Sequence, residues 1–165
     1  MSPRILAGAI LVAGVAACAG TGTLAPVPTT LDSTGFSMCP WDNEEPRLVD
    51  IHDAASFETL LASAGLDALR VTGWKPDFSR DRVVLVGVGP RPAAGYRVEW
   101  LDAALAGDRL RARVEVRPPT TGEMSATVII RPCVIAWVRA PGAQGVDVVD
   151  AGSNEVMLRS APAQR

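Results

Sequence analysis

Between Leu110 and Arg117 every second residue is apolar: Leu110, Ala112, Val114 and Val116 alternate with Arg111, Arg113, Glu115 and Arg117. A helix would scatter these side chains around its circumference. A strand sends them to opposite faces, so this stretch must form a strand with one buried side. Val83–Val88 (VVLVGV) is apolar throughout, the pattern of a strand covered on both faces. Tyr96–Leu101 alternates again, with Tyr96, Val98 and Trp100 on one side and Arg97 and Glu99 on the other. Gly107-Asp108 separates the two alternating strands and predicts a hairpin, with a loop slightly longer than two residues. Arg47–Ile51, Val134–Val138, Val146–Val149 and Val156–Leu158 complete the expected strands.

One segment carries a helical period. Asp53 can cap a helix running to Ala64, with Phe57, Leu60, Leu61 and Ala64 at i, i+3, i+4 and i+7 and Gly65 at its end. The expected fold class is therefore α+β, one N-terminal helix packed on a mostly antiparallel β-sheet or sandwich, over residues 36–160. Residues 161–165 are expected to fray as a disordered tail. Ahead of the domain, residues 18–35 are small, polar and punctuated by proline, without periodicity, and read as a flexible tether.

The start of the chain reads as an address. Arg4 supplies a positive charge, and Ile5–Val15 is an apolar stretch too short to span a bilayer comfortably. Val15-Ala16-Ala17-Cys18 follows, an aliphatic residue and two small ones before a cysteine, and it resembles the lipobox of bacterial lipoproteins. That resemblance implies cleavage after residue 17, a lipid-modified Cys18, and a protein held at the surface of the cell envelope. Ala19 rather than aspartate follows the cysteine, which favours the outer membrane over the inner. In such an oxidising compartment the two remaining cysteines, Cys39 and Cys133, are expected to form a disulfide. Two buried free thiols or a metal pair are the alternatives.

Little in the chain points to catalysis. His52 is the only histidine and sits between Ile51 and Asp53 at a strand-to-helix junction, where a local hydrogen-bonding role is the simpler reading. Lys75 is the only lysine, and no serine lies in a recognisable nucleophile setting beside it. Glu44 and Glu45 are adjacent rather than converging, and Gly87-Val88-Gly89 has no helix after it to cradle a phosphate. The expectation is a protein with no catalytic residues, no metal and no cofactor. Lys+Arg 16 against Asp+Glu 18 gives a net charge of -2, so nothing global steers the chain to nucleic acid. Arg97, Arg111, Arg113 and Arg117 could meet anionic lipid or polysaccharide, but the interleaved Glu99 and Glu115 make a solvated outer sheet face the expectation. Of the four tryptophans, Trp100 and Trp137 fall in strands and are expected in the core. Trp41 follows Cys39 closely enough to pack on the bridge, and a sugar platform is the competing reading for the set.

The most informative segment is Gly89-Pro90-Arg91-Pro92-Ala93-Ala94-Gly95-Tyr96. Pro90 and Pro92 stiffen it, and Gly95 permits backbone angles or close approaches that a side chain forbids. Such a loop loses little entropy on binding, so Arg91, Pro92, Gly95 and Tyr96 are candidate partner contacts; a hairpin that merely needs these residues is the alternative. The stretch DFSRDRVVLVGVGPRPAAGYRVEW, with RPCVIAWVRAP downstream, resembles the PrcB C-terminal domain family of protease-complex subunits. Those domains carry a DFS-like entry, a hydrophobic strand and a G-x-x-P-T-G-G-Y turn before an alternating strand. Ala93-Ala94 stands here for Thr-Gly, and Cys133 where an aromatic residue is common. The resemblance implies a non-catalytic accessory protein associated with an envelope protease. A smaller likeness, confined to Gly95-Tyr96 and Arg131-Pro132, is to chagasin-like inhibitors of cysteine proteases. A structural lipoprotein binding lipid or peptidoglycan is the remaining alternative.

Overall fold

The computed structural model describes residues 28–39, 44–120 and 126–161. The expected signal sequence, Cys18, Trp41 and most of the expected tether and tail lie outside the described residues. Among the described residues, eight strands form two four-stranded sheets. The first sheet has the order β1 (Thr29–Phe36), β6 (Cys133–Arg139), β3 (Asp81–Gly87), β2 (Arg47–Ile51), antiparallel throughout. The second has the order β4 (Arg97–Ala106), β5 (Arg109–Arg117), β7 (Gly145–Asp150), β8 (Val156–Arg159), in which β5 and β7 run parallel. The expected helix, α1 (Ala54–Ala64), and the four-residue α2 (Ala68–Val71) lie between β2 and β3 in the chain. The fold is thus mainly β, and its helix follows two strands instead of opening the domain.

The apolar run in β3 is buried along its whole length, as is most of β6. Alternate residues go to different cores. Val84, Val86, Val134, Ala136 and Val138 meet Val98, Trp100, Leu110, Ala112, Val114, Val146 and Val148 between the sheets. Val83, Leu85, Cys133 and Ile135 share a second cluster with Phe57, Leu61, Leu66, Leu69 and Trp74. The caps of α1 are as expected. Asp53 Oδ1 accepts from the Ser56 amide at 2.8 Å, and Gly65 closes the helix at φ 63°. That amide and the Ser56 hydroxyl hold the Asp53 carboxyl below its ordinary pKa. Leu110, Ala112 and Val114 are buried in the alternating strand β5. The β4–β5 loop is tighter than expected: Ala106 pairs directly with Arg109, and Gly107 takes φ 65°.

The tether expectation fails for its last residues. Thr29–Gly35 belongs to β1 and pairs with β6, so the folded domain begins before residue 36. Its polar side chains obscured it, and they have a structural use. Thr30 Oγ1 accepts from Trp100 Nε1 at 2.9 Å, and Asp32 Oδ2 accepts from Trp74 Nε1 at 2.7 Å. Both indoles are buried, and a buried N–H without an acceptor would be costly. The register slips between Thr30 and Asp32, leaving Leu31 exposed.

On the far side of the sandwich a buried ion pair links β2 and β3 within the first sheet. Arg82 Nη1 donates to both oxygens of Asp50 at 2.7 and 2.9 Å, with the two side chains 7% and 8% exposed. Arg82 Nη2 also donates to the Ala143 carbonyl. Ser160 Oγ donates to Asp50 Oδ2 at 2.9 Å and accepts from the Val146 amide at 2.7 Å. Ser160 therefore connects β2 to β7.

Two stability measurements follow. Thr30→Val keeps the shape of the side chain but strands the Trp100 N–H, and denaturant unfolding should show a loss of about 1–3 kcal/mol. Asp50→Ala leaves a buried guanidinium without its carboxylate, and the expected loss is about 3–5 kcal/mol. A loss below roughly 1 kcal/mol, the level of an exposed pair, would contradict the latch.

Candidate functional site

The Gly89–Tyr96 segment joins β3 of one sheet to β4 of the other, so it is a sheet-to-sheet crossing and not a hairpin. Its entry is fixed first. Asp77 Oδ1 accepts from the Ser79 hydroxyl at 2.7 Å and from the Ser79 amide at 3.2 Å, and these bonds hold its carboxyl below the ordinary pKa. Asp81 is buried and accepts from Trp137 Nε1 at 2.9 Å, the Asp77 amide at 3.0 Å and Arg139 Nε at 3.1 Å. The DFSRD stretch is therefore a turn nailed to β6, and the apolar strand after it carries the chain to Gly89.

Gly89 has φ 75°, and a Cβ there would stand 3.4 Å from Pro46. Arg91 then forms an antiparallel bridge with Ile130, donating its amide to the Ile130 carbonyl at 2.8 Å and accepting in return at 3.0 Å. The Ala94 amide reaches the Ala126 carbonyl at 3.0 Å, and the Val88 amide the Pro132 carbonyl at 3.3 Å. Residues 126–132 thus run beside the crossing and hold it. Gly95 has φ 91°, and a Cβ would sit 3.1 Å from Pro119 Cβ, so both backbone angle and space require glycine.

The four predicted contact residues meet different surroundings. Pro92 and Gly95 are exposed, while Arg91 is half-buried and its Nη1 donates to the Pro90 carbonyl at 2.9 Å. Tyr96 lines a groove of ≈ 380 Å³ where β4 begins and β1 ends, with Phe36, Ser37 and Val98. Arg91 is not among the residues that line this groove. What sequence reasoning missed is the partner of the crossing. Val128 and Ile129 are 47% and 62% exposed, and Met38, bridged to Arg131, is 49% exposed. A signal was present in the β-branched run Thr127-Val128-Ile129-Ile130 just ahead of Arg131-Pro132.

Cys39 and Cys133 are joined as a disulfide with Cα atoms 5.5 Å apart. Cys133 pairs with Gly87 at the end of β3, and the Cys39 amide donates to the Arg131 carbonyl at 2.7 Å. The bridge therefore secures Met38 and the 126–132 segment to the end of the sandwich where the crossing lies.

The other candidates are placed apart from it. His52 and Lys75 are exposed. Among the described residues no group of three or more His, Cys, Asp or Glu is placed to hold a metal ion, and no helix is long and apolar enough to cross a membrane. Arg113 pairs with Asp102 at 2.8 Å, Arg97 with Glu99 at 3.4 Å, and Arg117 with Glu99 and Glu115 at 3.1 and 2.8 Å. Arg111 donates to Asn154. That row is a charge-compensated sheet face. Trp74 and Trp100 are buried, which removes them from any exposed sugar platform.

Because the disulfide closes a sequence separation of 94 residues, reducing it should destabilise the domain by about 4.7 kcal/mol in the chain-entropy account. Denaturant midpoints with and without reductant measure this, and an unchanged midpoint would contradict it.

Comparison with curated proteins and with solved structures returns no match. Residues 82–139, from the second residue of β3 to the last of β6 and so including the whole crossing and the strands it joins, match the family model PrcB C-terminal, the family their sequence resembles.

Proposed function

We propose that this chain is a non-catalytic, lipid-anchored protein of the bacterial cell envelope whose domain binds another envelope protein. A protease complex is the class of partner that the family implies. The lipobox-like Val15–Cys18 supports the anchor, and Ala19 supports the outer membrane as its place. The observation that carries the binding role is the braced crossing. A family-matched segment, held by residues 126–132 and a disulfide, stands beside three exposed apolar side chains, Met38, Val128 and Ile129. Clustered exposed apolar residues rimmed by polar ones are typical of protein-binding surfaces, and a stiff loop loses little entropy when it docks. The single histidine, His52, and the single lysine, Lys75, are both exposed and lie outside the crossing.

One observation keeps a second reading in play. Pro132 lies against the crossing through the Val88 amide, so the two short chagasin-like pieces, Gly95-Tyr96 and Arg131-Pro132, occupy one end of the molecule. Stoichiometric inhibition of a papain-type protease would select that reading.

Crosslinking and co-purification of the lipidated protein from native membranes test the main proposal. A protease or other specific envelope protein should be recovered with the wild type and reduced roughly tenfold by Tyr96→Ala or Arg91→Ala, the loss expected of a central aromatic or arginine contact. Recovery of lipid or peptidoglycan alone would replace it with the structural-lipoprotein reading. Palmitate labelling should disappear in Cys18→Ala, and labelling that persisted would remove the anchor from the proposal.

A further inference from the structure

Six large apolar side chains stand exposed among the described residues. Met38, Val128 and Ile129 belong to the crossing end, and Val156 opens β8. The other two, Leu31 and Leu101, are 38% and 41% exposed and share a cause. In β1 the register with β6 slips between Thr30 and Asp32, and in β4 the register with β5 slips between Trp100 and Asp102. Each slip is a bulge, and the residue it leaves unpaired is the leucine. The two bulges also adjoin one bond. Trp100 Nε1 donates to Thr30 Oγ1 at 2.9 Å across the seam where β4 packs on β1, and each leucine directly follows one of these two residues. A bulge blunts a sheet edge, but a polar residue in it would serve that purpose and suit water better.

Their place in the chain says what covers them. Leu31 is two residues past Thr29, where the chain coming from Cys18 enters the first strand. Even at full stretch, residues 19–28 cannot carry Thr29 farther than about 40 Å from Cys18. From that entry β1 runs to Phe36, opposite Cys133, a further ~23 Å at the rise of a strand. The leucines therefore lie toward the end where the chain from Cys18 arrives, and Met38, Val128 and Ile129 lie toward the other. Past Leu101 the strand β4 adds Ala104 and Ala106, both small, apolar and exposed. The charges nearby are already answered: Arg113 pairs with Asp102 at 2.8 Å, and Asp32 accepts from Trp74. This surface offers apolar contact and no surplus charge.

We propose that Leu31 and Leu101 together rest in the boundary between headgroups and acyl chains of the bilayer that holds Cys18. The inference rests on the proposed lipid anchor and deepens it. Two leucines are too small a surface to hold a protein on a membrane by themselves. Once Cys18 is fixed there, the tether keeps the seam at high local concentration beside the lipid, and a weak contact is enough to set orientation. The contact turns the Gly89–Tyr96 crossing and its exposed apolar side chains toward the aqueous side. The partner surface then meets protein that stands clear of this bilayer, instead of being covered by it.

The probe is a phosphatidylcholine vesicle doped with a lipid that carries a photoreactive diazirine near the head end of its acyl chain. With Cys39 and Cys133 bridged, Cys18 is the only free thiol of residues 18–165 and can be coupled to a maleimide lipid. The anchor is then supplied chemically, so the result does not depend on whether cells acylate Cys18, which palmitate labelling decides separately. Illumination should place lipid adducts on the peptides carrying Leu31 and Leu101, roughly tenfold above those carrying Val128 and Ile129. The double variant Leu31→Ser, Leu101→Ser should lose that excess while keeping its denaturant midpoint, since both side chains are exposed. The wild-type adduct map needs no variant, so it tests the proposal even where the variant fails to fold. Phosphatidylglycerol or high salt should change the map little. The proposal is overturned if neither leucine is labelled, if Val128 and Ile129 are labelled equally, if a folded double variant keeps the adducts, or if labelling requires anionic lipid.

Discussion

The β3–β6 pair bears both cores at once. Seven residues of β3 lie in register with seven of β6, and alternate side chains from each strand go to opposite faces, one set to the second sheet and the other to the cluster containing α1. A valine, leucine or isoleucine fully buried contributes about 1.5–3 kcal/mol, whereas an exposed ion pair contributes ~1 kcal/mol or less. The spine therefore outweighs the charged face of β4 and β5 as a source of stability. The charged groups that do matter are the few drawn into contact with it: Asp81 under Trp137, and Arg82 with Asp50. Both acceptors and donors there sit on or beside β3, so the apolar strand also places the polar links of the fold.

Much of this was legible in the residues. Unbroken burial of β3 and alternation in β5 are properties of a few consecutive side chains, and so are the Asp53 and Gly65 caps of α1. The misreadings share a cause. β1 was hidden because TTLDSTGF has no apolar alternation; what makes it a strand is its pairing with β6 and the indole N–H groups of Trp74 and Trp100, contributed from 42 and 70 residues away. The parallel β5–β7 pairing was equally out of reach, since the chain passes through the other sheet between them. At the candidate site, prolines and glycines announced a constrained turn, and Gly95 indeed has both a positive φ and a close neighbour. That the turn changes sheets, and is braced by residues 126–132, depended on contacts no local pattern encodes.

The arrangement separates tasks between ends and edges. The crossing, the disulfide, Met38 and the Val128-Ile129 pair gather where β1 and β3 finish, with the invariant demands of backbone geometry met by Gly89 and Gly95. The opposite flank holds the Asp50–Arg82–Ser160 latch, where packing is close: a Cβ on Gly145 would lie 2.6 Å from Arg109 Nη1, and the guanidinium would have to shift. Arg109 uses that space to donate to Asp147, Val146 and Ser160. One flank is thus closed by internal polar bonds, leaving the crossing end to present apolar surface.

The position of the disulfide has a mechanical meaning. β1 enters at Thr29 opposite Arg139 and leaves at Phe36 opposite Cys133, and the bridge follows three residues later. A pull on the chain ahead of β1 first loads the β1–β6 ladder along its length. Should that ladder slide apart, the tension stops at Cys39 and passes covalently into β6, so the slack released is only the dozen or so residues upstream of the bridge. Everything between Cys39 and Cys133, the helix, the crossing and the hairpin included, lies inside the covalent loop and is shielded from the load.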